Sequence, residues 1–142
     1  MNDVDLDVRN QTYAFFIEAG RTPMADEIGS RPVVLASWGR LHDAHALVLN
    51  RERTELRMAN PFSAVPTAYR VHARGRWWFG NCAWDAFGIL AALHVDGRIE
   101  TSCPDCGAPV DIEVKGTRPD DASLLFHCLV PAARWWADIV FT

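Results

Sequence analysis

Between residues 11 and 19 the apolar positions Tyr13, Phe15, Phe16 and Ile17 suit a short helix that Gly20 stops, and residues 2–9 before it read as a frayed acidic lead-in. Thr22-Pro23 predicts a second short helix, with Thr22 as N-cap, Pro23 at the first helical position, Asp26 and Glu27 near the positive end, and Gly29 as its stop. A third helix is predicted over 32–46, because Val34, Leu35, Trp38, Leu41 and His42 fall on one face. Val48-Leu49 and residues 55–58 read as short strands around the polar turn 50–54. Three helices and a hairpin make a winged-helix-like module.

The pattern then changes. Two prolines interrupt residues 60–67, which read as a linker closing over the next module. Residues 69–72 and 76–79 predict strands around the turn Ala73-Arg74-Gly75, and 83–93, rich in Ala and Leu, predicts a helix. Residues 98–102 and 110–115 alternate apolar and polar positions on either side of a Cys-Pro-Asp-Cys-Gly-Ala-Pro turn. Residues 124–130 read as a more buried strand and 132–139 as a helix after Pro131. The fold class is therefore α+β, with a winged-helix-like module and linker over 1–66 and a small mixed α/β module over 67–142.

Composition narrows what such a chain does. With 142 residues, 49% hydrophobic and 11% aromatic, it can bury a core as one domain or as two small ones sharing an interface. Its longest apolar runs, 89–93 and 124–130, fall far short of a membrane span of roughly 20 residues. The acidic start lacks the basic and apolar regions of a signal peptide, so a cytoplasmic protein without a membrane partner is expected. Residues 1–75 hold nine Arg against nine acidic residues, and 76–142 hold five basic against nine acidic. Neither half has the basic excess of a phosphate-backbone binder. The third helix offers Arg31 and Arg40 against Asp43, so nucleic acid is not expected and the first module reads as a packing or oligomerisation unit, with a homodimer among the expectations.

The candidate chemistry centres on residues 77–88, where Cys82 and Asp85 stand three apart among Trp77, Trp78, Trp84 and Phe87. At the first turn of the predicted helix, Cys82 would gain thiolate stabilisation from the helix N-terminus, and Asp85 would share its face. Aromatic surroundings would raise the carboxyl pKa, as suits a proton donor. The pair reads equally as a small buried hydrophobe beside a helix-start carboxylate. Cys103 and Cys106 form a Cys-x-x-Cys turn that reads first as structural, then as a metal knuckle completed by Cys82, Cys128, His94 or His127, and last as a redox pair. Cys128 reads as core, His42 and His45 as packing or surface residues, and Trp135-Trp136 as the apolar anchor of the last helix.

Residues 22–66, Asn81-Cys82-Ala83-Trp84-Asp85-Ala86, Thr101-Ser102-Cys103 with Gly107-Ala108-Pro109-Val110, and residues 134–142 together resemble the alkylmercury lyases, also called organomercurial lyases. The resemblance implies a fold of winged-helix-like module followed by a mixed catalytic module. It implies that thiolates bind the mercury of an organomercurial while an aspartate protonates the carbon, leaving a hydrocarbon and Hg(II) as bound product. Cys82 would then be the first thiolate and mercury ligand, Asp85 the proton donor, and Cys103 a structural cysteine. Partners would be a small organic or organometallic substrate and cellular thiols; no cofactor is required, and zinc has no support beyond the knuckle. In the family the second catalytic cysteine follows the segment that residues 138–142 resemble, and this sequence stops at Thr142. The expectations are a shortened relative, a thiolate from elsewhere, or a lost activity. Cys128 matches no catalytic position. The alternatives are a non-catalytic protein binding Hg(II), zinc or another soft metal through Cys82, Cys103 and Cys106, and a scaffold repurposed to other small-molecule chemistry.

Overall fold

The computed structural model describes residues 2–140; Met1, Phe141 and Thr142 lie outside the described residues, and with them the end of the family-like segment 134–142. Helix α1 (Asp3–Ala19) begins where a frayed lead-in was expected. Asn2 accepts the Asp5 N–H at 2.9 Å and Asp5 accepts the Asn2 N–H at 3.2 Å, a reciprocal cap that fixes the first turn. Asp5 is also only 1% exposed, because the Arg40 guanidinium reaches it from the next long helix at 2.6 Å. The acidic run is thus a cap and an ion pair, not a solvated tail. Gly20 ends the helix in the left-handed conformation, φ +71°, and returns its N–H to the Phe16 carbonyl.

Helix α2 (Ala25–Ile28) starts later than predicted, with Met24 as N-cap in place of Thr22. Glu27 is the reason: its carboxylate accepts the Met24 N–H at 2.9 Å while paired with Arg21. Helix α3 (Arg31–Asp43) turns Val34, Ser37, Trp38 and Leu41 inward and stops short of Ala46, where His45 takes a positive φ. Helices α1 and α3 are tied by more than apolar contact. Trp38 Nε1 donates to Thr12 Oγ1 at 3.0 Å, and that hydroxyl donates to the Val8 carbonyl at 2.7 Å.

Strands β1 (Val48–Leu49), β2 (Leu56–Ala59), β3 (Phe62–Ser63), β4 (Tyr69–Ala73), β5 (Arg76–Gly80), β6 (Gly97–Ser102), β7 (Pro109–Lys115) and β8 (Arg118–Pro119) form one sheet in the order β1-β2-β3-β5-β4-β6-β7-β8, every neighbouring pair antiparallel. The segment expected to be a linker therefore carries a strand. Phe62 pairs with both Ala59 and Gly80, and its ring stacks on Phe16 at 5.5 Å, because a buried aromatic beside an open sheet edge outweighs the neighbouring prolines. Sheet and core run continuously across residue 66.

Helix α4 (Ala83–Leu93) crosses from β5 to β6 and buries Ala86, Ile89, Leu90 and Leu93, spaced i, i+3, i+4 and i+7, against β4 and β5. Each of the large side chains gains about 2 kcal/mol by leaving water. Residues 124–130 are not the predicted buried strand: Leu125 is 96% and Leu129 77% exposed, and no described strand pairs with them. An apolar run becomes a strand only where an edge accepts its backbone, and here the chain has left the sheet after β8. The predicted last helix is a short 3-10 turn over Ala132–Ala137. No described helix is long and apolar enough to cross a membrane.

The Asp5–Arg40 pair yields a pH prediction. Hydrogen bonding to Arg40 holds the Asp5 carboxyl below its usual 3.8, at about 2. A depressed folded-state pKa stabilises above the unfolded value and loses that contribution as pH falls through the folded one. Asp5→Asn should lower the Tm by several degrees at neutral pH, and the gap to wild type should close as pH drops from 3.8 towards 2 in thermal melts followed by circular dichroism.

Candidate functional site

The turn from β5 into α4 places both candidate residues. Gly80 ends β5 so close to the helix that a Cβ there would stand 2.7 Å from the Ala86 nitrogen and 3.0 Å from its Cα. With only a hydrogen at that point, the chain turns at once and Cys82 becomes the N-cap of α4, its carbonyl accepting the Ala86 N–H at 3.0 Å. Asp85 follows in the first turn. Cys82 and Asp85 then line one cavity of about 60 Å³ together with Met58, Asn60, Asn81, Trp135 and Ile139.

The cysteine departs from expectation. The backbone N–H groups of Asp85 and Trp84 favour its thiolate, as a helix N-terminus should, but burial acts more strongly the other way. The charges of Asp85 and Cys128 add to burial, so the Cys82 thiol lies above its ordinary pKa. The aspartate meets expectation in direction and in cause, which is desolvation, but the expected aromatics are not the groups that line its cavity. Burial raises its pKa, and hydrogen bonds from the Asn81 side chain and backbone moderate the rise. Trp77, Trp78, Trp84 and Phe87 do not line the cavity. Trp78 points into the core and donates to the Phe16 carbonyl at 2.7 Å, while Trp77 lies 38% exposed against His72. Trp84 is 63% exposed and meets Phe126 with ring centroids 6.3 Å apart. Period and composition placed aromatics near Asp85 in sequence; the strand pleat and helix turn sent them elsewhere.

Asn81 organises the carboxyl. Its Nδ2 donates to Asp85 Oδ2 at 2.9 Å and to Asn60 Oδ1 at 3.1 Å, and the Asn60 carbonyl accepts the Tyr13 hydroxyl at 2.9 Å. The network links α1, the β2–β3 turn and α4 around one carboxylate. The floor of the site is thus built by the first half of the chain. Its other wall is Trp135, whose Nε1 donates to the Val130 carbonyl at 2.7 Å, with Ile139 beyond it. Trp136 stacks on His45 at 4.2 Å and 9°, which pins this C-terminal turn to the end of α3. Of these residues, Asn81 beside Cys82 and Trp135 in the family-like C-terminal segment gave a signal in sequence; nothing tied Tyr13 or Asn60, distant along the chain, to Asp85.

Cys103 and Cys106 lie elsewhere, at the β6–β7 turn. The N–H groups of Cys106 and Asp105, and the Cys106 side chain, lower the Cys103 pKa. All four cysteines are free thiols, and among the described residues no three His, Cys, Asp or Glu side chains are grouped to hold a metal ion. Among the described residues, Cys82, Cys128, His94 and His127 are therefore not grouped with the knuckle as further ligands. His42 packs, accepting the Leu49 N–H through Nδ1 at 3.2 Å.

Two substitutions check this geometry. Gly80→Ala should cost about 1–3 kcal/mol in denaturant unfolding, since its Cβ must push α4 off the sheet. Asn81→Ala should raise the Asp85 pKa further, because the donor removed is one that lowers it, as read from a carboxyl NMR titration.

Comparisons with known proteins bear on the family and the fold. The model of the MerB alkylmercury lyase family matches residues 62–142, a stretch that contains Cys82, Asp85, Cys103, Cys106 and Cys128. No curated protein matches the chain. Among solved structures, the mercury-bound form of MerB2 superposes with a TM-score of 0.62 at 20% identity, over 85% of this chain and 60% of that one. That likeness concerns the fold, and this chain spans 60% of the other's length. The family match covers more than half of the sequence and includes the whole β5–α4 turn; the chain belongs to the alkylmercury lyase family.

Proposed function

We propose that the protein is an organomercurial lyase, in which Cys82 binds the mercury of a small organomercurial and Asp85 protonates the carbon. One observation carries the reading: a thiol and a carboxyl share a small half-buried cavity, and burial raises the proton affinity of both, so that one proton can pass between them. Mercury is soft and replaces the proton on a thiol sulfur. The proton released from Cys82 has Asp85 as its local acceptor, and desolvation raises the affinity of that carboxylate for it. The carbon–mercury bond then breaks with its electron pair on carbon, and Asp85 supplies the proton there. Asn81 keeps one carboxyl oxygen occupied, which orients the other. Cellular thiols deliver the substrate and remove Hg(II). The three helices and the β1–β2 hairpin serve in this reading as a winged-helix-like module whose task is packing, since α1 contributes Tyr13 to the network behind Asp85.

The Cys103–Cys106 turn supports a second reading, non-catalytic capture of Hg(II), zinc or another soft metal, because backbone N–H groups favour its thiolate.

Incubation of the chain with phenylmercury and excess thiol should release benzene, measured by gas chromatography. Cys82→Ser and Asp85→Asn should each lower the rate by about 100-fold to 10,000-fold. The profile of kcat/KM against pH should be a bell, because one proton must be shared by the pair. Its acid limb should lie above the usual carboxylate range and its alkaline limb above that of a free thiol, following the upward shifts of Asp85 and Cys82. If native mass spectrometry finds one metal ion retained and no benzene forms, the second reading replaces the first.

A further inference from the structure

The cavity that Cys82 and Asp85 line is small. Its volume of about 60 Å³ is less than half of the roughly 150 Å³ that benzene occupies in an apolar protein cavity. A carbon that is to take a proton from Asp85 must come into this space. A methyl group brings a single carbon there, whereas a phenyl group brings the plane of its ring. The walls differ in what holds them. Met58 is a core residue of β2, 6% exposed, and Asn60 and Asn81 are hydrogen-bonded to each other and, through the Asn60 carbonyl, to Tyr13. Trp135 and Ile139 belong neither to the sheet nor to a long helix. They are the two half-buried positions of a C-terminal turn whose other residues, 131–134, 136–138 and 140, are exposed. The Trp135 indole N–H is anchored within its own segment, on the Val130 carbonyl at 2.7 Å, and the turn rests on the end of α3 through Trp136 stacked on His45 at 4.2 Å.

We propose that Trp135, with Ile139, sets the size of the organic group that reaches Asp85: the closed cavity takes a methyl-sized group, and an aryl group enters only when the Trp135 ring is displaced. The inference rests on the lyase reading for the identity of the substrate, but the size limit belongs to the cavity and is read on Cys82 without turnover. Trp135 acts here by exclusion and takes no part in moving the proton. An aryl substrate must push the indole out of its contact with the cavity and off the Val130 carbonyl, and the free energy lost there is taken from its binding. A methyl group leaves both contacts in place. The walls supplied by β2, Asn60 and Asn81 bound the same space for every substrate, so discrimination falls to the turn that carries Trp135.

Two readouts on the full chain test it, each with Trp135→Ala and with Leu125→Ala, a control on the same C-terminal segment whose side chain is 96% exposed and lines no part of the cavity. The first is the rate at which methyl and benzyl methanethiosulfonate label Cys82, mapped by peptide mass spectrometry with the exposed Cys106 as internal reference. Relative to Cys106, wild-type Cys82 should disfavour the benzyl reagent by on the order of 10-fold or more; Trp135→Ala should abolish that preference and Leu125→Ala should keep it. The second is methane release from methylmercury against benzene release from phenylmercury, both with excess thiol. An aryl carbon accepts a proton more readily than a methyl carbon, so the quantity read is the change in the ratio of the two kcat/KM values. Trp135→Ala should shift it towards phenylmercury by on the order of 10-fold, mainly through KM, whereas loss of fold lowers both rates together. Circular dichroism follows the fold, and Trp135→Leu replaces Trp135→Ala in both readouts if the latter unfolds. Equal labelling of wild-type Cys82 by the two reagents, an unchanged labelling or hydrocarbon ratio in the folded Trp135 variant, or an equal shift in Leu125→Ala overturns the inference and leaves the lyase reading standing wherever hydrocarbon forms. No hydrocarbon from either substrate sinks the lyase reading, and the labelling of Cys82 then decides the size limit by itself.

Discussion

The close approach of α4 to the end of β5 is the constraint on which the site depends. Gly80 lets the Ala86 backbone come within a distance that any side chain would forbid, and the chain must therefore reverse through Asn81 and Cys82 alone. That short reversal turns a cysteine into an N-cap and puts a carboxylate in the following turn. Had the helix stood off by one side-chain layer, Cys82 would sit on a loop and the cavity would open to water. The apolar face Ala86, Ile89, Leu90 and Leu93 supplies the energy that holds the helix down.

Burial then sets the chemistry, and it does so against the helix N-terminus. Two backbone N–H groups favour the Cys82 thiolate, yet loss of solvent outweighs them. A thiol that keeps its proton beside a carboxyl whose pKa is also raised differs from an activated nucleophile awaiting an electrophile. The proposed exchange of a thiol proton for a soft metal draws on that pairing, with the carboxylate as acceptor of the proton. Asn81 limits the rise at Asp85 and sets its orientation, and through Asn60 and Tyr13 it joins the carboxyl to α1.

The same network explains why the first half of the chain belongs to the site. Met58 and Asn60 line the cavity, β1 to β3 extend the sheet, and His45 receives Trp136 from the far end of the sequence. The C-terminal turn is held at both of its tryptophans, one against the cavity and one against α3's end. Residues distant in sequence thus close a pocket whose thiol and carboxyl are local to one turn.

What the sequence determined by itself was local. The span of α4, the strands around it, the pairing of Cys82 with Asp85 and the family all follow from period, composition and motif, because those signals are carried by residues within a few positions of one another. Three features were misread where tertiary contacts overrode local pattern. Asn2 and Asp5 turned an acidic tail into a helix start through Arg40; Phe62 drew a proline-rich segment into the sheet; and residues 124–130 found no strand edge and remained exposed. Only the tertiary structure decided which groups surround Asp85, and that Cys128 is exposed rather than in the core. Burial and charge at a site are sums over neighbours far along the chain, and no spacing of residues encodes them.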